Sequence, residues 1–458
     1  MSPLLRGTVS VIVVFMLSIG VVGVAVQEVQ AAPAGWSDYV VLSNSSVWPE
    51  KNMVNTSENP AVTSWGNYVY AVWERDTMNA SVAFVTNAEI FFSRSDDYGY
   101  SWSTPVRLTY NYMLEDNLKN NTAYGNSVYP RIAVNGSQVH IVYDKAIYGA
   151  GGGNKHREIM YINSTDRGNT FSEPRMLTTN DTEDSRHPDI DVCGDRVHIV
   201  WTDERDADAD LFYMNSSDGG LTWSPEQKIT FGGVSGTSRI AVNNSNIHIT
   251  YNRYIPPWEV AYMKSTDGGV SWSPTQILSP NDGFPSLRGG IDVYQDNVHV
   301  VYDDANPPSI GYRSSNDNGD TWSSEITLDS PGNRSEQPTI GVWKDEVYTA
   351  WIDNRDHYDY QNAFEIYTAN STDGGNTWTD DLRLSNAVNK SLKPDVCANE
   401  SIAHVVWQDN RTGEHDQDYE IYYKRNPGFG VPIPEFRWLI VPVLATPAII
   451  IFLSRYKR

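Results

Sequence analysis

Three tryptophan-led segments of this chain place an aspartate and an arginine two residues apart: Asp203 and Arg205, Asp353 and Arg355, Asp409 and Arg411. A forked guanidinium there suits an anionic sugar or a partner's carboxylate. It suits equally well an ion pair closed on itself across a hairpin. Asp206, Asp208 and Asp210 alternate as oxygen ligands of Ca²⁺ would, yet no glycine stands at the sixth position and no glutamate at the twelfth, so the loop is not an EF-hand. A second set comprises Arg131, Asp189, Arg239, Arg288 and Asp395. Paired carboxylates among them would hydrolyse a glycosidic bond if their separation fitted; as mixed charges they would instead form a stabilising ring of ion pairs. Five histidines (His140, His198, His248, His299 and His404) invite a metal, but each stands three residues before a recurrent aromatic. Tyr70 and Tyr348 hold the same place elsewhere, so packing is the expected role.

The elements that position these residues are repeats. Six copies of Ser-x-Asp-x-Gly-x-(Thr/Ser)-(Trp/Phe) begin at Ser95, Ser164, Ser216, Ser265, Ser315 and Ser371, each between two short β-type runs. In such a turn the aspartate accepts backbone N–H groups, the glycine takes φ > 0 and the aromatic is buried. A second landmark, the aromatics Trp73, Tyr143, Trp201, Tyr251, Tyr302, Trp351 and Trp407, ends runs like VHIVW. Counting back 13 residues from each reaches Pro60, Pro130, Pro188, Ser238, Gly289, Pro338 and Pro394. A fixed interval means two strands and their turn are constant while other loops vary. The pattern predicts an all-β, seven-bladed β-propeller of four-stranded antiparallel blades over about residues 36–427. The seventh unit stops after Glu420–Asn426, and Gly35-Trp36-Ser37 with Tyr39–Asn44 reads as its missing fourth strand. That strand would close the ring and hide its edges.

Residues 1–32 carry Arg6, an apolar stretch and small residues at Ala31 and Ala32, the layout of a secretory signal. Residues 428–437 form a linker with Pro434-Glu435-Phe436, and 438–458 an apolar segment ending in Arg455, Lys457 and Arg458. This end resembles the PEF-CTERM sorting signal of archaeal surface proteins, which implies processing by an archaeosortase; an ordinary membrane anchor is the alternative. Either way the propeller is expected outside the cell, membrane-anchored, with glycosylation acceptors such as Asn55, Asn135 and Asn333 on its surface. A formal net charge of −23 excludes nucleic acid as the natural partner. The two cysteines, Cys193 and Cys397, fall on non-adjacent blades and are expected as unpaired, buried thiols.

The six-fold motif is the Asp-box, or bacterial neuraminidase repeat, and it resembles the sialidase-like superfamily of propellers. That resemblance implies a structural role for Asp97, Asp166, Asp218, Asp267, Asp317 and Asp373, on the face opposite the ligand. It implies sialidase chemistry less strongly, because no Arg-Ile-Pro occurs; Tyr129-Pro130-Arg131-Ile132 is a near anagram. The expected ligand face therefore carries the strand two-to-three turns and the channel mouth. The expectation is a binding protein for glycans or envelope proteins, with no cofactor beyond Ca²⁺. A sialidase-like glycoside hydrolase and a structural surface-layer component are the alternatives.

Overall fold

The computed structural model describes residues 35–43, 56–78, 86–110, 125–148, 155–205, 208–329, 334–356, 364–387, 389–411 and 419–426. The expected signal segment, linker and C-terminal anchor lie outside them. Within them the chain forms 28 strands in seven four-stranded antiparallel sheets, with no helix. Blade one runs Ser57–Trp65, Tyr68–Met78, Thr86–Ser95 and Val106–Arg107, from the axis outward, and blades two to six open at Ser127, Ser185, Val234, Ser286 and Ser335. Blade seven takes Ser391–Asn399, Ile402–Asp409 and Glu420–Asn426 from the end of the propeller and Val40–Val41 from its start. Val40 pairs with Tyr423 and Val41 with Tyr422, so the N-terminal strand closes the ring as expected.

The alternating, β-branched strands leave no single core. The landmark aromatics, such as Trp73, Trp201, Tyr302 and Trp407, are wholly buried, and the apolar clusters span blade junctions. One joins Val200, Leu211 and Tyr213 of blade three to Ile240 and Ile249 of blade four. Layered cores explain how a chain of this size remains one body. Both cysteines are free, as expected, though half-buried rather than buried.

The Asp-boxes tie neighbouring blades. In the third copy the Asp218 carboxylate accepts Thr222 N at 2.8 Å and Ser216 Oγ at 2.7 Å, and Ser216 Oγ accepts Gly220 N at 2.9 Å. These hydrogen bonds, from Thr222 first, hold Asp218 down at about 2. Gly220 has φ +86°, and a Cβ there would lie 1.9 Å from the hydroxyl of Tyr161 in the preceding blade. Trp223 meets the same tyrosine edge-on at 5.1 Å, and that hydroxyl bonds His140 Nδ1 at 2.6 Å. The same contact seats Tyr213 under Gly269, Tyr262 under Gly319, Tyr312 under Gly375 and Tyr423 under Gly99. All five histidines make this tyrosine bond, which gives them the expected packing role. Burial pushes His140, His198 and His299 down to about 4, and His248 and His404 to about 3.

Two predictions follow from this lock. Gly319→Ala forces a side chain into the Tyr262 hydroxyl and into left-handed backbone, and should cost about 1–3 kcal/mol from overpacking alone. Adding Tyr262→Phe should restore part of the loss in denaturant melts; strict additivity of the two changes would count against the contact. The histidines bind protons more readily unfolded than folded, so stability should fall as pH drops from about 6.5 toward 4. His198→Gln should flatten that acid slope in melts at stepped pH, and an unchanged slope would refute the assignment.

Candidate functional site

The channel mouth is built by a break in register. In every blade the innermost strand slips against the second strand, between Glu58 and Ala61, Val128 and Arg131, Arg186 and Asp189, Val234 and Ser238, Leu287 and Gly290, Glu336 and Thr339, and Leu392 and Asp395. A bulge of this kind re-aims a side chain. The re-aimed residues are Asn59, Tyr129, His187, Thr237, Arg288, Gln337 and Lys393, and all line one pocket of about 220 Å³. Six of them hold φ between 49° and 56°, a left-handed conformation that costs a non-glycine residue about 1–3 kcal/mol.

Polar side chains of the preceding blade hold that conformation. Glu74 accepts Tyr129 N at 2.7 Å, Asp144 accepts His187 N at 3.3 Å, Asp303 accepts Gln337 N at 3.0 Å and Gln408 accepts Asn59 N at 3.0 Å. Each acceptor directly follows a landmark aromatic. Burial pushes Glu74 up to about 7 and Asp144 to about 6 despite these bonds.

Positive charge gathers at the mouth. Arg131, Arg239, Arg288 and Lys393 all line the pocket. Burial, then the Arg131 charge, brings Arg239 down to about 10. Lys393 is lowered by burial and by Arg288, Arg131 and Arg239. Arg131 Nε is 3.6 Å from Asp189 Oδ1. Arg288 is engaged by Asp303 at 2.7 Å and Glu336 at 3.1 Å. The carboxylates below are occupied by the next blade: Asp189 accepts Ile240 N at 2.9 Å, and Asp395 accepts Val62 N at 2.8 Å. Deeper in the channel Asp191 accepts Val242 N at 2.6 Å and Asp292 accepts Val342 N at 2.7 Å. Neighbouring innermost strands do not pair with each other, and these carboxylates bridge them.

Of the sequence-derived candidates, the structure therefore brings Arg131, Arg239, Arg288 and Asp395 to the mouth, with Asp189 beneath. It does not bring Arg205, Arg355 and Arg411 there. Arg205 grips Asp203 through two bonds of 2.7 and 2.6 Å, also pairs with Glu226, and lies 4.6 Å over Phe212. Arg355 pairs with Asp353 and Asp381 over Tyr367, and Arg411 with Asp409 over Tyr422 and Tyr39. In all three hairpins the arginine pairs with the aspartate two residues back. Burial alone would raise Asp203, but the bonds from Arg205 and Trp201 outweigh it and hold the carboxyl below its ordinary value. Asp206 lies outside the described residues. Asp210 bonds within its own blade, to Thr230 at 3.0 Å and Lys228 at 3.0 Å. Among the described residues no three His, Cys, Asp or Glu side chains group as metal ligands.

The sequence reading missed Asn59, Tyr129, His187, Gln337 and Lys393. Their signal was available: each immediately precedes the repeat's proline.

No family model matches the sequence, and no curated protein matches it. Solved structures do match in fold. An ulvan lyase of a polysaccharide lyase family aligns at 13% identity with a TM-score of 0.55, over 80% of this chain and 93% of that one. A protein of unknown function from Dyadobacter fermentans aligns at 11% identity and 0.51, over 86% and 99%. The NanB sialidase of Streptococcus pneumoniae aligns at 12% and 0.46, over 68% and 67%. At these identities the likeness to the first two establishes a shared fold and nothing finer.

The hairpin arginines generate a test. Arg205→Ala, Arg355→Ala or Arg411→Ala leaves a buried carboxylate short of its donors and should cost about 1–3 kcal/mol of stability each. Binding at the mouth should be unchanged in calorimetry. A variant that keeps its melting temperature but loses ligand would return these arginines to the site.

Proposed function

We propose that this chain is an exported, membrane-anchored cell-surface propeller that binds anionic glycans through its channel mouth. The observation that carries the reading is the convergence of Arg131, Arg239, Arg288 and Lys393 on one pocket in a chain of net charge −23. Arg131 and Arg239 are like charges close enough to repel, and a ligand carboxylate or sulfate would relieve their repulsion through charge-assisted bonds. Tyr129, His187, Asn59 and Gln337 around them supply ring faces and neutral hydrogen-bonding groups, the mixture that sugars require. Similarity in fold to an ulvan lyase bound to a glucuronate–sulfated rhamnose chain, at 12% identity and a TM-score of 0.54, is consistent with such a ligand. Export and anchoring rest on the two terminal segments, with an archaeosortase as the processing partner. A hydrolase would take its carboxylate pair from Asp189 and Asp395, which already serve as ties between blades.

Titration calorimetry of the full chain against oligosaccharides of uronate, sulfated sugar, sialate and neutral sugar tests this. Acidic sugars should bind and neutral ones should not. Arg131→Gln should weaken binding at least tenfold, since a hydrogen bond to a charged group contributes about 1.5–3 kcal/mol, with the melting temperature held. Equal affinity for neutral and acidic sugars would overturn the reading.

A further inference from the structure

Tyr129 and His187 stand on adjacent blades at the mouth with ring centroids 4.8 Å apart, nearly edge to face. Both belong to the re-aimed, left-handed set, at φ 54° and 53°, so strained backbone is used to present them beside Arg131 and Arg239. Strain of this kind persists where the surroundings enforce it, and here Glu74 and Asp144 do so. Nδ1 of His187 is buried and has no hydrogen-bond partner among the described residues.

We propose that the mouth catalyses β-elimination on 4-linked hexuronate chains, with His187 as the base, Tyr129 as the acid, and Arg131 and Arg239 gripping the uronate carboxylate. The inference rests on the anionic-glycan reading of the same pocket. The chemistry needs three things: a neutralised carboxylate to acidify the C5 proton, an uncharged base, and an acid for the departing oxygen. The proton on C5 passes to the His187 imidazole, and its electron pair forms the C4=C5 double bond. The C4–O4 bond breaks and O4 takes the phenolic proton of Tyr129. The imidazolium then returns its proton to the phenolate, which restores both groups. Atoms balance without water, metal or redox partner. The protonation states agree: burial, then the Arg186 and Arg157 charges, brings His187 down to about 4, which leaves it neutral at pH 7. Burial, with Glu74 and Asp144 nearby, raises the Tyr129 phenol and keeps its proton on.

The experiment incubates the full chain with polyglucuronate, polygalacturonate and alginate and follows the ultraviolet absorbance of the conjugated, unsaturated uronate. Calorimetry on the same samples reads binding. The wild type should release the chromophore from at least one polymer. Tyr129→Phe keeps the ring, and His187→Asn keeps a residue that tolerates left-handed backbone. Each should lower turnover about 100-fold or more, with melting temperature held and affinity changed only a few-fold. Binding without chromophore from all three polymers would overturn the elimination and leave the binding reading standing. Absence of binding would overturn both. Full turnover in the two variants would overturn the assignment of base and acid.

Discussion

A tyrosine hydroxyl seated beneath a glycine fixes the distance between blades, and the rest of the molecule depends on that distance. A propeller has no hydrogen-bonded ladder from one sheet to the next, so adjacent blades are held by packing and side-chain ties. At five junctions the tie is the same: a third-strand tyrosine fills the space where the next Asp-box glycine lacks a Cβ. Between blades one and two, Phe92 takes that place beneath Gly168 and meets Phe171 edge-on at 4.9 Å. The aspartate of the box shapes the turn, the glycine admits the neighbour and the tryptophan covers it. The box itself therefore serves assembly.

Fixed spacing at the rim sets the charge pattern at the axis. The innermost strands converge without pairing, and Asp189, Asp191, Asp292 and Asp395 reach across to main-chain donors of the next blade. Carboxylates used this way are not presented to ligand. The cations above them are less fully matched, so an acidic protein acquires a basic mouth. The bulges matter for the same reason. Without them the residues before Pro60, Pro130, Pro188, Pro338 and Pro394 would follow the pleat of the strand, and Tyr129 and His187 would not share one pocket.

The sequence by itself determined the architecture: seven units, four strands each, and a first strand that completes the last blade. Its periods are local, and Val40–Val41 could be assigned because Gly35-Trp36-Ser37 imitates the end of an Asp-box. It also yielded the packing role of the histidines, because they kept step with the aromatics. The site was legible only in part. Arg131, Arg239, Arg288 and Asp395 were readable as charged residues on an inner strand. Tyr129, His187 and Lys393 carried a signal, their place before the repeat's proline, but the alternation of a regular strand would have placed them elsewhere. Only the tertiary structure decided that, through register slips held by Glu74, Asp144 and Gln337, each from the preceding blade. It also decided that Arg205, Arg355 and Arg411 close on Asp203, Asp353 and Asp409, since a forked donor beside a carboxylate reads alike in sequence whether it faces a ligand or its own chain.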